Sequence, residues 1–598
     1  MKNRQPLIFG GIVAAAVLLV VCGIGYQFVR RQLIALDPTP TKPTNAVEVL
    51  FIYAPEEELY VTEAITSFNK LSAQGLNPLT SQALKSGEQP VWIVGRSGSS
   101  GTMAQGIINA VIAPNNSNVE RPVLYSPSVR HWLALVNYQS GQQIFDVDGA
   151  PATAIAPVVM AIWQSRLDAI KQKHSGGDIG WQELFEVFKS PNGWNDYSIT
   201  GRPSVYYGHT DPFVSSTALS TLMAEFYASS RYNAGNGNAT KLTLDQVNNP
   251  KVQSGVRDIE KLIKHYSART TEFKEYIAQG PDFLDFVALE ENDLIYINQG
   301  KTQYKPPEKL VALYPKEGTF VHDHPFAIPN NVAWVTDEQR KGAQAFTEFV
   351  LRKDVQTKVL EVGFRPVSKE VALACPICPE NGVDPSQPKT LLPVPEPAVL
   401  SRVQQSWQLV KKQADVVILI DTSGSMNDDD KIGRAKEAAL TFLEDQGSNN
   451  NIGLVQFNSV PSTMVPLDTL ETNRVQLQSS IQGLTARGNT ALYDGLIAAI
   501  TELQQRQSQL ATGDSRIQAI VLLSDGKETI APEKLNEVVT LITNARNTRT
   551  PILVIPVAYG SDADISALNA IARASDTKVQ SGDSKNIKKL LETISQYF

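Results

Sequence analysis

The chain has 598 residues, too many for a single hydrophobic core, so about three domains are expected. Its apolar fraction of 42% and charged fraction of 19% are typical of a folded globular protein and exclude a disordered chain. The net charge of −7 argues against a nucleic-acid partner, because phosphate binding needs a basic surface, and a count of 3 cysteines excludes a disulfide-rich scaffold.

The first predicted element is an apolar run from Leu7 to Val29 with no charged residue inside it. As a helix it would be about 34 Å long, enough to cross a bilayer core of about 30 Å. A cleaved signal peptide would have a shorter apolar core and a small-residue cleavage site. We therefore expect an uncleaved transmembrane anchor, followed by a linker over residues 30–47 that is rich in Pro and Thr.

The next region, residues 48–372, contains a Ser- and Gly-rich loop between a strand and a helix. The strand starts at Val91, the loop spans residues 97–102, and the helix is predicted from Met103 to Ile112. Hydroxyls and free N–H groups at a helix start suit an anion or a carboxylate. A well-capped turn would use the same residues, so both interpretations stay open.

Two stretches of this region, residues 314–328 (YPKEGTFVHDHPFAI) and 359–367 (VLEVGFRPV), carry a family resemblance. They resemble the bacterial extracellular solute-binding proteins of type II topology, a class that includes molybdate- and phosphate-like binders. The resemblance implies two α/β lobes joined by a hinge, which close over a small solute or anion. Because the pocket of this class varies, only candidate ligand residues follow. They are Ser97, Ser99, Ser100, Thr102, Ser128 and Ser215.

Two smaller motifs could also carry chemistry. His322 and His324 alternate on one segment and could share a metal, but with no third matching ligand a turn or pocket wall is expected. Cys375 and Cys378 have the spacing of a redox motif, but they stand among prolines in a predicted linker. We expect a structural disulfide outside the cytoplasm, with a redox role as the alternative.

The C-terminal region follows a Pro-rich linker and connecting helix at residues 373–411. From residue 412 onwards, apolar strands alternate with amphipathic helices. Strands are predicted at 416–420, 452–457, 519–524 and 552–559, and helices at 431–444, 490–504, 532–545 and 584–597. This alternation indicates an α/β fold with a parallel, doubly wound, Rossmann-like sheet. In such sheets ligands bind at the carboxyl ends of the strands.

Three polar clusters lie at those ends. Asp421, Ser423 and Ser425 follow the first strand, Thr490 opens a helix, and Asp525 follows a buried strand. Carboxylate and hydroxyl oxygens are hard donors, which suit Mg²⁺, Mn²⁺ or Ca²⁺ and not zinc. Because these five donors carry only two charges, we expect an open coordination position that attracts an acidic group of a ligand.

Together the clusters resemble the metal-ion-dependent adhesion site (MIDAS) of the von Willebrand factor A (VWA) family. The residues that match its pattern are Asp421, Ser423, Ser425, Thr490 and Asp525. The resemblance implies that the hydroxyls bind the metal directly, that the aspartates bind directly or through water, and that a carboxylate of a partner protein fills the open position. One departure is the acidic run Asp428–Asp430, expected to stabilise the helix that starts at Lys431 through its dipole, with a second metal role as the alternative.

Both resemblances place the two domains outside the cytoplasm, with residues 1–6 as a cytoplasmic tail. The sequence therefore predicts a membrane-anchored, extracytoplasmic binding protein that recognises an acidic side chain of a partner protein, as adhesion proteins do. The sequence contains neither a G-x-S-x-G elbow nor a Walker loop, so neither motif indicates an enzyme. Two alternatives remain, the substrate-binding subunit of a solute import system and an envelope hydrolase with its site in the middle cleft.

Overall fold

The computed structural model describes residues 40–598, apart from 115–118, 236–240, 268–269, 511–515, 526, 547, 549, 561, 576, 578, 584–585 and 596. The predicted anchor at residues 7–29 and most of the predicted linker lie outside the described residues. Within the described part, no helix is both long enough and apolar enough to cross a membrane.

The middle region alternates strands and helices up to Glu361. Its strands are β1 (Val47–Tyr53), β2 (Val91–Ser97), β3 (Leu124–Ser126), β4 (Ala156–Trp163), β5 (Tyr207–Thr210), β6 (Ile263–Ser267), β7 (Phe286–Glu290), β8 (Leu310–Leu313) and β9 (Val321–His322). Its helices are α1 (Glu58–Ala73), α2 (Ser100–Ile112), α3 (His131–Ser140), α4 (Gln164–Lys173), α5 (Trp181–Phe188), α6 (Ser216–Tyr232), α7 (Leu244–Asn248), α8 (Pro250–Glu260), α9 (Thr270–Ile277), α10 (Glu291–Asn298), α11 (Asp337–Val350) and α12 (Lys353–Glu361).

These strands form two sheets. The first has the order β2-β1-β3 with parallel pairing, and the second has the order β6-β5-β7-β4-β8, with β9 paired to β4. Strand β4 is buried along its whole length and apolar throughout, as a central strand must be. Two sheets, each covered by helices, agree with the two α/β lobes that the sequence predicts.

The C-terminal region begins with α13 (Pro397–Val410), the predicted connecting helix, and then builds one sheet. Its strands are β10 (Ala414–Asp421), β11 (Asn451–Phe457), β12 (Pro461–Thr469), β13 (Ile517–Ser524), β14 (Ile552–Tyr559) and β15 (Gln580–Gly582). Its helices are α14 (Lys431–Glu444), α15 (Leu470–Gly483), α16 (Leu492–Gln509), α17 (Leu535–Arg546), α18 (Ile565–Ala574) and α19 (Ile587–Ser595).

The strand order of this sheet is β12-β11-β10-β13-β14-β15. All neighbouring pairs are parallel except β11 with β12, which is antiparallel. The predicted doubly wound α/β sheet is therefore present, but the sequence reading missed the edge strand β12. In that strand only Val465 is buried and two residues are prolines, which is the pattern of an edge and not of a central strand.

Helix α13 connects the two regions by packing into both. Trp407, near its end, is buried against His209 and Tyr266 of the middle region. The backbone N–H of Tyr266 donates to the carbonyl of Tyr597 at the C terminus of the chain, at 3.1 Å. A single buried apolar cluster runs through α13 from the middle region into the C-terminal sheet. The two regions therefore share part of their core.

Candidate functional site

Two neighbouring parallel strands bring the predicted metal-binding loops together. Asp421 is the last residue of β10 and Ser524 the last of β13, and Ile420 pairs with Leu523 in the sheet. Because parallel strands end at the same edge, the Ser524 hydroxyl can donate to Asp421 Oδ2 at 2.8 Å. The position of Asp421 is thus set by the sheet itself.

The serine hydroxyls that follow β10 connect Asp421 with the second predicted aspartate ligand, Asp525. Ser423 Oγ and Ser425 Oγ are 3.2 Å apart, and Ser425 Oγ donates to Asp525 Oδ1 at 2.9 Å. The backbone N–H of Ser423 donates to Asp421 Oδ1 at 2.8 Å, which turns the loop back over the strand end. Four of the five predicted metal ligands therefore form one connected group.

The loop that carries the fifth residue, Thr490, packs directly on this group. The N–H of Gly424 donates to the carbonyl of Gly488 at 3.0 Å. Gly488 has a φ of +78°, a conformation that favours glycine, and a Cβ there would lie 2.7 Å from Ser459 Oγ in the loop between β11 and β12. Thr490 is buried two residues further on, with its backbone N–H bonded to the Thr529 hydroxyl at 2.9 Å.

The sequence reading missed one member of the site, Lys431. Its Nζ donates to Asp525 Oδ2 at 2.7 Å, and both side chains are buried. A lysine at the first residue of a helix is disfavoured by the helix dipole, which was the available signal. The preceding Asp430 occupies the N-cap position of α14 but makes no side-chain capping hydrogen bond, so its predicted stabilising effect is limited to its charge.

The electrostatics of the site favour a cation. Burial raises the pKa of Asp421 to about 6, against the hydrogen bonds from Ser423 and Ser524, and the nearby charge of Asp525 raises it further. A buried carboxylate whose charged form is disfavoured gains from an added positive ion. All donors are carboxylate or hydroxyl oxygens, so the residues fit a hard divalent cation such as Mg²⁺.

The candidate ligand residues of the middle region do not all come together. Ser100 and Ser128 do, since Ser100 Oγ accepts from the Ser128 N–H at 3.2 Å and Ser128 Oγ donates to Glu56 at 3.4 Å. Ser215 instead caps helix α6, accepting from the Ala218 N–H at 3.2 Å. The remaining candidates lie at or near the surface; they are Ser97, Ser99 and Thr102.

Carboxylates that the sequence reading did not single out adjoin this serine pair. Burial raises the pKa of Glu56 to about 8 and that of Glu57 to about 7. The Ser126 hydroxyl donates to Glu57 Oε1 at 2.8 Å. Hydroxyls and carboxyl groups of this kind could hold a polar solute between the two sheets.

The two histidines at alternate positions, His322 and His324, both contact carboxylates. His324 Nδ1 lies 3.2 Å from Glu57, and its Nε2 lies 3.4 Å from Glu290. His322 Nδ1 lies 2.7 Å from Glu290, and its Nε2 lies 2.9 Å from the Ser220 hydroxyl. Each ring nitrogen lies beside a carboxylate or hydroxyl oxygen, and both histidines are fully buried, so the pair forms a buried polar network that joins the strand ends of the two sheets.

Ser220, His322 and Glu290 are hydrogen-bonded in the same order as the serine, histidine and carboxylate of a hydrolase triad. Ser220 lies in the second turn of α6 and is 1% exposed, so no substrate reaches its hydroxyl in this structure. Its own backbone N–H lies inside the helix, where such groups bond to the carbonyl four residues earlier. The arrangement is a buried polar network, in which a serine satisfies a histidine nitrogen.

In the linker, Cys375 and Cys378 are joined by a disulfide. Cys378 is buried, and the bonded turn leads into the short helix Pro379–Asn381. Neither sulfur follows a strand or opens an α-helix, which are the places where redox motifs are found.

Comparisons with known proteins agree with both halves of this fold. The family model described as bacterial extracellular solute-binding protein matches residues 83–381, and the von Willebrand factor type A domain model matches residues 416–528. Inter-alpha-trypsin inhibitor heavy chain H4 of Bos taurus is 30% identical over 120 residues, which are 19% of this chain and 13% of that protein. The chain therefore spans only a small part of that relative.

Solved structures give weaker likenesses. The sulfate-binding protein SubI of Mycobacterium tuberculosis is 18% identical with a TM-score of 0.35, covering 58% of this chain and 93% of its own. A von Willebrand factor type A protein of Catenulispora acidiphila is 22% identical with a TM-score of 0.28, covering 31% of this chain and 43% of its own.

The fold and the family matches define an extracytoplasmic binding or recognition protein, because both matched families are binding domains. The solute-binding model covers half of the chain. The chain belongs to the bacterial extracellular solute-binding protein family, and it carries a VWA domain C-terminal to that region.

Proposed function

We propose that this chain is a membrane-anchored recognition protein that binds a partner protein through a divalent cation in its VWA domain. The cation would be Mg²⁺, with Mn²⁺ or Ca²⁺ able to replace it. Its ligands would be Asp421, Ser423, Ser425, Thr490 and Asp525. The observation that carries the proposal is the unbroken contact from Ser423 through Ser425 to Asp525 at the carboxyl ends of β10 and β13.

The charges around the site support an acidic ligand. Asp421 and Asp525 bring two negative charges, and Lys431 offsets one of them. A divalent cation would therefore exceed the net negative charge of its proposed ligands and Lys431, beside which Asp562 also lies at 3.8 Å. A glutamate or aspartate side chain of a partner protein restores the balance and supplies a further oxygen ligand.

The middle region would add binding of a small solute, and the apolar run at residues 7–29 would hold both domains at the membrane. Glu56, Ser100 and Ser128 support a polar site between the sheets. If the chain were instead a subunit of an import system, solute binding would be its main activity and would be unchanged by loss of Asp421. The hydrolase alternative would require Ser220, which is buried, to become accessible.

The test is capture of partners from the cell envelope with the full chain. Capture should occur in Mg²⁺, disappear in EDTA and be absent for Asp421→Ala. Asp468→Ala, which removes an exposed aspartate of the same domain, is the matched control and should capture normally. Capture that is equal in EDTA, or equal for both variants, would refute metal-dependent recognition.

A further inference from the structure

A second cluster of possible metal ligands lies where the middle region meets α13, far along the chain from the VWA loops. It consists of His209 on β5, Glu225 on α6 and Glu260 at the end of α8. Their exposed fractions are 3%, 0% and 0%. One potential ligand atom from each residue lies within 4.8 Å of those of the other two. Three separate elements thus converge on one buried point.

Each glutamate has one carboxyl oxygen held and the other unpartnered. Glu225 Oε1 accepts from the Tyr207 hydroxyl at 3.2 Å, and Glu260 Oε2 accepts from the Tyr266 hydroxyl at 2.7 Å. Glu225 Oε2 and Glu260 Oε1 are buried, accept from no donor group among the described residues, and belong to carboxyls that face each other. Carboxylates oriented in this way by an outer hydroxyl are typical of metal sites.

His209 is oriented in the same way. Its Nδ1 lies 2.6 Å from the carbonyl oxygen of Thr210, so Nδ1 carries the proton and donates. Burial lowers the pKa of His209 to about 4, which keeps the ring neutral. The lone pair of Nε2 is therefore free, and within the described part of the chain this buried nitrogen has no partner. A neutral imidazole held by a backbone carbonyl is the form that binds metals.

The charges of the cluster also call for a cation. Burial raises the pKa of Glu225 and raises that of Glu260 to about 8. The neighbouring Glu260 carboxyl raises the pKa of Glu225 further, whereas the Tyr266 hydroxyl and the charge of Lys412 act against the rise at Glu260. The facing cations are Lys411 and Lys412, whose amino groups bind the carbonyls of Phe598 and Ile263 at 2.7 and 2.6 Å. Burial lowers the pKa of both lysines, and the charge of Lys411 is shared between Asp211 and Glu260.

We propose that His209, Glu225 and Glu260 bind a divalent transition-metal ion of the zinc class. One imidazole nitrogen and two carboxylate oxygens form a donor set that zinc accepts, and they leave a fourth position for water. The two glutamates offset the charge of the ion within a buried site, where Lys411 and Lys412 are the competing cations. This site is separate from the VWA site, whose donors are all oxygens.

The position of the cluster gives the metal a structural role. The ring of Trp407 on α13 stacks on His209, with ring centroids 5.0 Å apart. The hydroxyl of Tyr266, which holds Glu260, also accepts the backbone N–H of Lys412 at 2.7 Å, just before β10. A metal that fixes His209 and Glu260 would therefore fix the joint between the solute-binding region and the VWA domain.

The test uses the full chain with Asp421→Ala, which disables the proposed VWA site, and without reductant so that the disulfide stays closed. After treatment with a chelator, zinc is titrated while bound zinc and the melting temperature are measured. We expect about one zinc ion per chain, and a rise in melting temperature that the chelator reverses. His209→Gln should weaken zinc binding by at least about 100-fold. Tyr266→Phe removes the hydroxyl that holds Glu260 and accepts the Lys412 N–H, and it should weaken zinc binding by about 10- to 100-fold.

His174→Gln, a histidine outside the cluster, is the control and should bind zinc as before. The rival arrangement is a proton shared between the two glutamates. In that case the parent chain would bind no zinc, and Glu225→Gln would leave its melting temperature unchanged or higher. That result, or equal zinc binding by the His209→Gln and His174→Gln chains, would overturn the proposal. If His209→Gln does not fold, the zinc titrations of the parent chain and of Tyr266→Phe still decide whether the cluster binds zinc.

Discussion

Lys431 and Asp525 form a buried ion pair inside the proposed metal site, with Nζ 2.7 Å from Oδ2. The other oxygen of Asp525 accepts from Ser425 at 2.9 Å, so the carboxylate is oriented from two sides. Asp421 accepts hydrogen bonds from Ser524 and the Ser423 N–H. Among the described residues it is the carboxylate of the site without a cationic partner, and it is therefore the principal attraction for a metal ion.

Removing the lysine charge should strengthen metal binding. In Lys431→Met the positive charge that opposes a divalent cation is lost, and Asp525 Oδ2 becomes available. We expect the Mg²⁺ or Mn²⁺ dissociation constant to fall by about tenfold, measured by calorimetry. Lys436→Met, on the same helix but half-buried and bonded to the Gln482 carbonyl, should leave it unchanged. Weaker binding by a folded Lys431→Met chain would mean that the lysine serves to position Asp525.

Metal binding should depend on pH through Asp421. Because the pKa of Asp421 is raised to about 6, protons compete with the metal below that value. Lowering the pH from 7 to 5 should weaken Mn²⁺ binding by about tenfold. Ser524→Ala removes a hydrogen bond to the charged carboxylate, so it should move this profile to higher pH, whereas Ser462→Ala should not. A flat profile between pH 5 and 7 would contradict the assignment of Asp421.

The middle region should lose stability in alkali. Burial alone would lower the pKa of His324, but the charge of Glu290 and hydrogen bonds to Glu290 and Glu57 raise it to about 10. A histidine whose pKa is raised on folding contributes fully below about pH 6.5, and this contribution is lost as the pH rises through the folded value, by up to about 1.4 kcal/mol per unit. The melting temperature of the full chain should therefore fall between pH 7 and 10.

His324→Gln tests the origin of that fall. It should lower the melting temperature at pH 7, because Glu57 and Glu290 lose the cation between them, and it should make the pH dependence shallower. His174→Gln should keep the parent profile. An unchanged slope in His324→Gln would assign the alkaline loss to other groups.

The triad-like order around His322 should have no catalytic consequence. A fluorophosphonate probe should fail to label the full chain, because Ser220 is buried within helix α6. Ser220→Ala should cost about 1–3 kcal/mol of stability, since it leaves His322 Nε2 without its partner. Labelling that disappears in Ser220→Ala would instead support the hydrolase alternative.

The α/β pattern of the VWA domain, and the loops that carry the candidate metal ligands, could be predicted because their signals are local. The apolar run 416–420 is followed at once by Asp421, and the run 519–524 by Asp525. Because parallel strands end at the same edge of a sheet, this pattern already implies that the two aspartates lie close together. Strand β12 gave no such signal, since its pairing with β11 depends on an edge that only the assembled sheet provides. Lys431 was missed because its partner Asp525 is distant in the chain.

The chemistry of the middle region could not be read from the sequence for the same reason. Glu57, Glu290 and His324 come from three distant segments, and so do His209, Glu225 and Glu260. The sequence instead favoured serines as ligand candidates, because hydroxyls in a glycine-rich loop are a local signal. One of these candidates, Ser215, serves as a helix cap. Buried glutamates and histidines become informative only when their burial and their partners are known.

The central claim is that three loops of the VWA domain hold one hard cation. Calorimetric titration of the full chain with Mn²⁺, compared with Asp421→Ala and with the surface control Asp468→Ala, tests it most directly. We expect the parent chain and Asp468→Ala to bind about one ion at the site, and Asp421→Ala to lose that binding. No heat in the parent chain, or equal binding by Asp421→Ala, would contradict the claim.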